Sequence, residues 1–265
     1  MAGMVEPTFV IGGAQRCGTT WLYHLLDQHP QIYLARPINP EPKFFCHDPA
    51  VGRDRDWYLR TWFANVPTDA VAIGEKSTSY IDTPDVPQRI RQMLPGLKII
   101  FMLRHPVERA ISNYRFSKGN GLETGSIDVA FRDEARRVVR TKFANLSVHP
   151  LAYIERGHYA RHLDGFLECL DHDRIKILIK EHFEREPLKL LPDLLRFLGV
   201  EPGFEPTGLD TRLNITEDPE LRIPRDLVNE LIEIYRPSNL RLEQLLGCDL
   251  SDWNRPSPMV EAMLG

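Results

Sequence analysis

Thr8-Phe9-Val10-Ile11-Gly12-Gly13-Ala14-Gln15-Arg16-Cys17-Gly18-Thr19-Thr20-Trp21-Leu22 is the stretch on which the fold turns. Thr8 to Ile11 reads as a short apolar strand, the glycines force a turn, and Trp21, Leu22, Leu25 and Leu26 form the apolar stripe of a helix ending near His29-Pro30. Backbone N–H groups at such a turn, added to the positive end of the helix, make a cradle for an anion of phosphate or sulfate type. The Thr19 and Thr20 hydroxyls can add bonds to it.

From Gly13 to Gly18 the glycine spacing is that of a nucleotide-binding P-loop. The next position breaks the pattern. Mg-ATP enzymes need a lysine there to reach the terminal phosphates, and this chain has Thr19, with its cation inside the loop at Arg16. A Mg-ATP enzyme is thereby disfavoured, while an anion met by Arg16 and a helix N-terminus stays open. Read alone, the glycines also fit a tight strand-to-helix turn with no ligand.

Outward from this loop, strands are expected at Ala70 to Gly74, Lys98 to Leu103 and Arg174 to Ile179. Helices are expected at Val86 to Leu94, from Pro106 to about Ser117, at Ser126 to Leu146 and Leu151 to Cys169, at Leu188 to Leu198 closed by Gly199, and at Pro224 to Tyr235. Alternating strands and helices with short connections predict an α/β fold: a P-loop-like central parallel sheet with helices on both faces, in a single domain. Ligands of such sheets bind off the carboxyl ends of the strands. There Leu103-Arg104-His105-Pro106 places Arg104, with Ser112 about two turns into the following helix. The pair could clamp a second phosphate; singly, Arg104 reads equally as a surface ion-pair residue and Ser112 as a solvated helix position.

Composition sets the frame for these motifs. The 265 residues, 42% hydrophobic and 26% charged, are those of a globular chain, and the formal charge of -4 gives no general attraction to nucleic acid or anionic lipid. Any anion site must be local. No apolar run approaches the ~20 residues of a membrane-spanning helix, and Met1 to Pro7 lacks the pattern of a secretory signal. Cys17, Cys46, Cys169 and Cys248 lie far apart, with no paired spacing that would suggest zinc or a disulfide scaffold. A cytoplasmic protein with reduced thiols and no bound metal is the expectation.

With these motifs together the chain resembles sulfotransferases that use 3′-phosphoadenosine 5′-phosphosulfate (PAPS), most closely the carbohydrate branch of heparan sulfate N- and 3-O-sulfotransferases and their bacterial relatives. Phe9 to Thr20 resembles the family's 5′-phosphosulfate loop, and Leu103-Arg104-His105-Pro106 through Ser112-Asn113-Tyr114 its 3′-phosphate motif. Glu41-Pro42-Lys43-Phe44-Phe45, Glu75-Lys76-Ser77-Thr78-Ser79-Tyr80 and Ile154-Glu155-Arg156-Gly157-His158-Tyr159 match three further segments in order. The resemblance implies one sulfotransferase domain over 1–265, with a donor-binding core at 8–120 and a helical, acceptor-side portion at 121–265.

It also implies residue roles. Glu41 would be the general base that takes the proton from an acceptor hydroxyl or amine, the hydroxyl being favoured, with Lys76 and Arg16 holding the transferred sulfate and the bridging oxygen. Gln15, Arg16, Cys17, Gly18, Thr19, Thr20 and Trp21, with Arg104, Ser112 and Tyr159, would bind PAPS and release adenosine 3′,5′-bisphosphate (PAP). Lys43, Trp57 and Tyr80 would face a hydroxylated small-molecule or carbohydrate acceptor. Two departures stand out: Arg16 replaces the family's usual lysine, and Gly208 to Pro224 lacks the cysteine of the animal enzymes' disulfide loop, leaving Arg212 as the cation of a different lid. Without the family, Glu41 reads as an exposed loop charge, Lys76 as an edge ion pair with Glu75, His24, His105 and Phe44-Phe45 as structural, and Cys17 as a packing residue. A P-loop kinase or nucleotide hydrolase, and a non-catalytic sulfonucleotide or glycan binding protein, are the competing functions.

Overall fold

A computed structural model of the chain describes residues 4–47, 53–137, 150–209 and 220–265. Five strands form one sheet in the order β2-β3-β1-β4-β5, all pairs parallel: β1 (Phe9–Gly13), β2 (Ile32–Leu34), β3 (Ala72–Lys76), β4 (Lys98–Leu103) and β5 (Ile175–Ile179). The sheet is flanked by helices, as the alternating pattern predicts. Every residue of β1 is buried, and from Ile99 to Leu103 so is all of β4, as expected of central parallel strands covered on both faces.

The chain divides into two compact units. One comprises Met1–Leu103 and Asp164–Leu213, the other Arg104–Leu163 and Asn214–Gly265. The first holds the whole sheet with α1 (Thr19–Leu26), α2 (Arg55–Trp62), α3 (Val86–Met93), α8 (Lys180–Arg185) and α9 (Pro187–Leu198). The second is helical: α4 (Pro106–Gly119), α5 (Ile127–Arg132), α6 (Glu134–Arg137), α10 (Arg225–Leu246) and α11 (Pro258–Glu261), around a core that includes Ile111, Tyr114, Phe131, Tyr153, Leu231 and Tyr235. Helix α7 (Tyr159–Cys169) carries the chain from the second unit back to the first.

Three expected helices differ in extent. The span Leu151 to Cys169 is helical only in α7. Before it lies a 3₁₀ turn at Glu155–Gly157, where the Glu134 carboxylate accepts from the N–H groups of Ile154 and Glu155 and so takes donors that a helix would use. Ser126 to Leu146 breaks at Asp133 into α5 and α6, and its remainder lies outside the described residues. Helix α10 runs past Tyr235 and through Pro237 to Leu246, because Leu231, Ile232 and Tyr235 before the proline and Asn239 and Leu242 after it are all buried on one face.

Candidate active site

The turn between β1 and α1 is tightly determined. Gly13 has φ +148°, and a Cβ there would lie 2.6 Å from Ile81 and 3.1 Å from the Thr78 carbonyl oxygen. Gly18, at the N-terminal boundary of α1, has φ +92°, which favours a residue without a Cβ. Arg16 adopts a left-handed φ of 68° inside the turn. Among the described residues no side chain caps α1, and its first turn carries no acidic residue. No acidic residue of its own first turn offsets the positive end of the helix, which suits an anion.

The carboxyl end of β3 lies beside this turn, since Lys76 is in register with Ile11 and the Ser77 N–H donates to the Ile11 carbonyl at 3.0 Å. Lys76 Nζ donates to Glu41 Oε1, and the pair is nearly dry, with 4% and 10% of the side chains exposed. Glu41 also accepts from the Thr78 N–H and from its hydroxyl, each at 3.0 Å. The same Thr78 that holds the carboxylate thus packs its backbone against Gly13. One residue on from the buried Pro42, the Lys43 N–H donates to Ser77 Oγ at 2.8 Å, and Phe44 and Phe45 enter the core. Glu41 and Lys76, joined in the sequence reading only by resemblance, are a bonded pair.

In the helical unit, Arg104 is held from two sides. Its Nε donates to Glu108 at 2.9 Å, and the Tyr159 hydroxyl donates to its carbonyl oxygen at 2.8 Å. Burial alone would raise the Glu108 carboxyl, but the Arg104 guanidinium and the Ser257 hydroxyl outweigh it and hold it below the usual carboxylate value. Ser112 sits half-buried on α4. His105 bonds the Arg255 carbonyl through Nε2 at 3.0 Å, a structural position.

Several expected roles change. Tyr80 has no exposed surface, and its hydroxyl donates to Glu75 at 2.6 Å, so it belongs to the core and offers nothing to an acceptor. Of the aromatic faces near Trp57, Tyr58 is also core, whereas Trp57 is half-buried with the Arg53 guanidinium 4.9 Å from its ring centre. Tyr159, fully buried, positions Arg104 through its carbonyl and presents no surface of its own. Trp21 packs edge-on against Phe183 and donates to the Gly208 carbonyl at 3.4 Å. Cys17 is buried, while Gln15, Arg16 and Thr20 keep partial exposure. Arg212 lies outside the described residues.

Lys180, not among the expected site residues, donates through Nζ to Glu184 at 2.6 Å. It stands at the carboxyl end of β5 as Arg104 follows β4, and its stem lies 3.3 Å from where a Gly18 Cβ would be. A lysine directly after an apolar strand was the available signal. Among the described residues no group of three or more His, Cys, Asp and Glu is placed to hold a metal ion.

Residues 6–209 match the sulfotransferase domain family, more than half of the chain. The chain belongs to the sulfotransferase family. A crystal structure of a sulfotransferase from Alicyclobacillus acidocaldarius is 32% identical and superposes with a TM-score of 0.79, covering 95% of this chain and all of that one. Human bifunctional heparan sulfate N-deacetylase/N-sulfotransferase 2 is 28% identical over 94% of this chain, which spans only 31% of that enzyme. Human heparan sulfate glucosamine 3-O-sulfotransferase 6 is 29% identical over 92% of this chain and 72% of its own length. This sulfotransferase is accordingly a transferase with the family's parallel-sheet fold.

Proposed function

We propose that this sulfotransferase moves the sulfuryl group of PAPS to a hydroxyl of a glycan, glycosylated or small-molecule acceptor and releases PAP. The observation that carries the reading is the Glu41–Lys76–Thr78 cluster, packed through Thr78 against the glycine turn. Base, cation and anion cradle then share one unit of the fold. The cradle fits the 5′-phosphosulfate, with Arg16, Thr19 and Thr20 adding charge and hydroxyls to the open end of α1. Arg104 and Ser112 are the matching choice for the 3′-phosphate.

In the transfer the acceptor oxygen forms a bond to sulfur as the bond from sulfur to the 5′-phosphate oxygen breaks, and the acceptor proton passes to Glu41. Lys76 is bonded to Glu41. An incoming sulfate draws the ammonium toward its own oxygens, which frees the carboxylate to act as base, and the same ammonium then meets the charge gathering on the leaving phosphate. Acceptor contacts are assigned to Lys43 and Trp57.

Isothermal titration with PAP tests the donor, and incubation with labelled PAPS and panels of glycans and hydroxylated small molecules, read by mass shift, tests the acceptor. PAP binding without Mg²⁺ and transfer to at least one acceptor are expected. Binding of Mg-ATP in place of PAP overturns the reading.

A further inference from the structure

Behind Lys76, on the preceding residue of β3, Glu75 is completely buried. Its Oε1 accepts from two phenols, Tyr80 at 2.6 Å and Tyr58 at 3.3 Å. The same two rings carry the segment that presents Glu41. Phe44 stacks on Tyr58 with centroids 4.2 Å apart and 7° between planes, and Phe45 meets Tyr80 edge-on at 5.4 Å. Arg89 of α3 closes the anchor by donating to the Phe45 carbonyl at 2.9 Å. A fully buried carboxylate whose Oε1 accepts from two core tyrosines is a costly way to stabilise a fold, and hydrophobic side chains would fill the space without it.

We propose that Glu75 is a positioning residue for the transfer step: by fixing Tyr58 and Tyr80 it locks Phe44 and Phe45, and through them the place of Glu41 against Lys76. The inference rests on the reading of Glu41 as base. Its second effect is electrostatic, because a negative charge behind β3 interacts with both Lys76 and Glu41. Burial pushes the Glu75 carboxyl up to about 7, so that charge develops near neutrality. The ionisable groups facing it are Tyr58 from α2, Tyr80, Lys76, Glu41 and, from the 3₁₀ turn at Phe44–Cys46, Cys46, which has Asp82 as a further neighbour. Burial raises both phenols well above their ordinary value, so neither titrates in the same range.

The test compares wild type, Glu75→Gln, Tyr80→Phe and Glu41→Gln for PAP affinity, melting temperature and kcat from about pH 5 to 9. Glu75→Gln is expected to lose at least about tenfold in kcat while PAP affinity and the KM for PAPS stay within about twofold. The rise of kcat near about pH 7 should vanish with it. Tyr80→Phe, which keeps the ring, should show a smaller loss in the same direction and serves if Glu75→Gln fails to fold. An unchanged kcat and pH profile overturns the inference, as does a loss shared equally by kcat, PAP affinity and melting temperature. Wild type that neither binds PAP nor transfers overturns the proposed function itself. Transfer by wild type that persists undiminished in Glu41→Gln removes the base on which the inference rests.

Discussion

Glu41 and Lys76 meet almost without water, so each change at this pair should be felt in the chemistry more than in binding. Glu41→Gln is expected to keep PAP affinity within about twofold and to lose about a hundredfold to ten-thousandfold in kcat, the range for removal of a general base. Titration calorimetry and a mass-shift assay on one preparation check both halves. Lys76→Ala should lower kcat too, and it should also weaken PAPS more than PAP, since the role proposed for the lost ammonium is to meet the sulfate. At this scale the sequence alone left Glu41 and Lys76 open, because nothing in a proline-rich loop or a strand end says that residues 35 apart in the chain will bond. Only the ordered family motifs joined them. Tyr80 shows the converse: its motif pointed to the acceptor, while the Glu75 carboxylate turned its hydroxyl inward.

Among the elements, the turn from β1 into α1 has the least tolerance. Gly18→Ala forces a side chain to φ +92° against Met102 and Lys180, both 3.3 Å away. A cost of more than about 1 kcal/mol is expected, seen as a drop of a few degrees in melting temperature, together with weaker PAP binding. Gly13→Ala should be worse, since the Thr78 carbonyl at 3.1 Å is backbone and cannot swing away. Long apolar or well-capped elements were legible: β4 matches its expected range, and α9 ends at Gly199 in a left-handed conformation. Short ones were not. Strand β2 has three residues, too few for a period, and α2 mixes Arg55, Asp56 and Arg60 with its apolar positions. Pro237 lies inside α10, where packing on both sides of the proline overrides a propensity loss of about 3 kcal/mol.

Over the whole molecule the buried carboxylates set the pH response. Burial raises Glu75 and Glu134 to about 7 from an ordinary 4.5. Between those values the folded protein holds protons that the unfolded chain has released, so each carboxyl makes the fold less stable as pH climbs from about 4.5 to about 7. Glu108 acts oppositely: its depressed value contributes stability above the ordinary carboxylate range, lost as pH falls through the folded value. Melting temperatures of Glu134→Gln minus wild type should therefore grow more favourable to the variant across that window. A flat difference would show that Glu134 does not ionise there. The sheet and its order of motifs were readable from glycines, prolines and apolar runs, whereas these burials depend on which distant segments meet.

The return of the chain to the sheet has a consequence for synthesis. Strand β5 pairs with β4 only after the excursion from Arg104 to Leu163 has been made. Until Ile175 to Ile179 leave the ribosome, β4 has no partner on that side, and Ile99 to Leu103 form an uncovered apolar edge of the kind that recruits other chains. Nascent chains arrested before β5 should aggregate, and those arrested beyond it should stay dispersed.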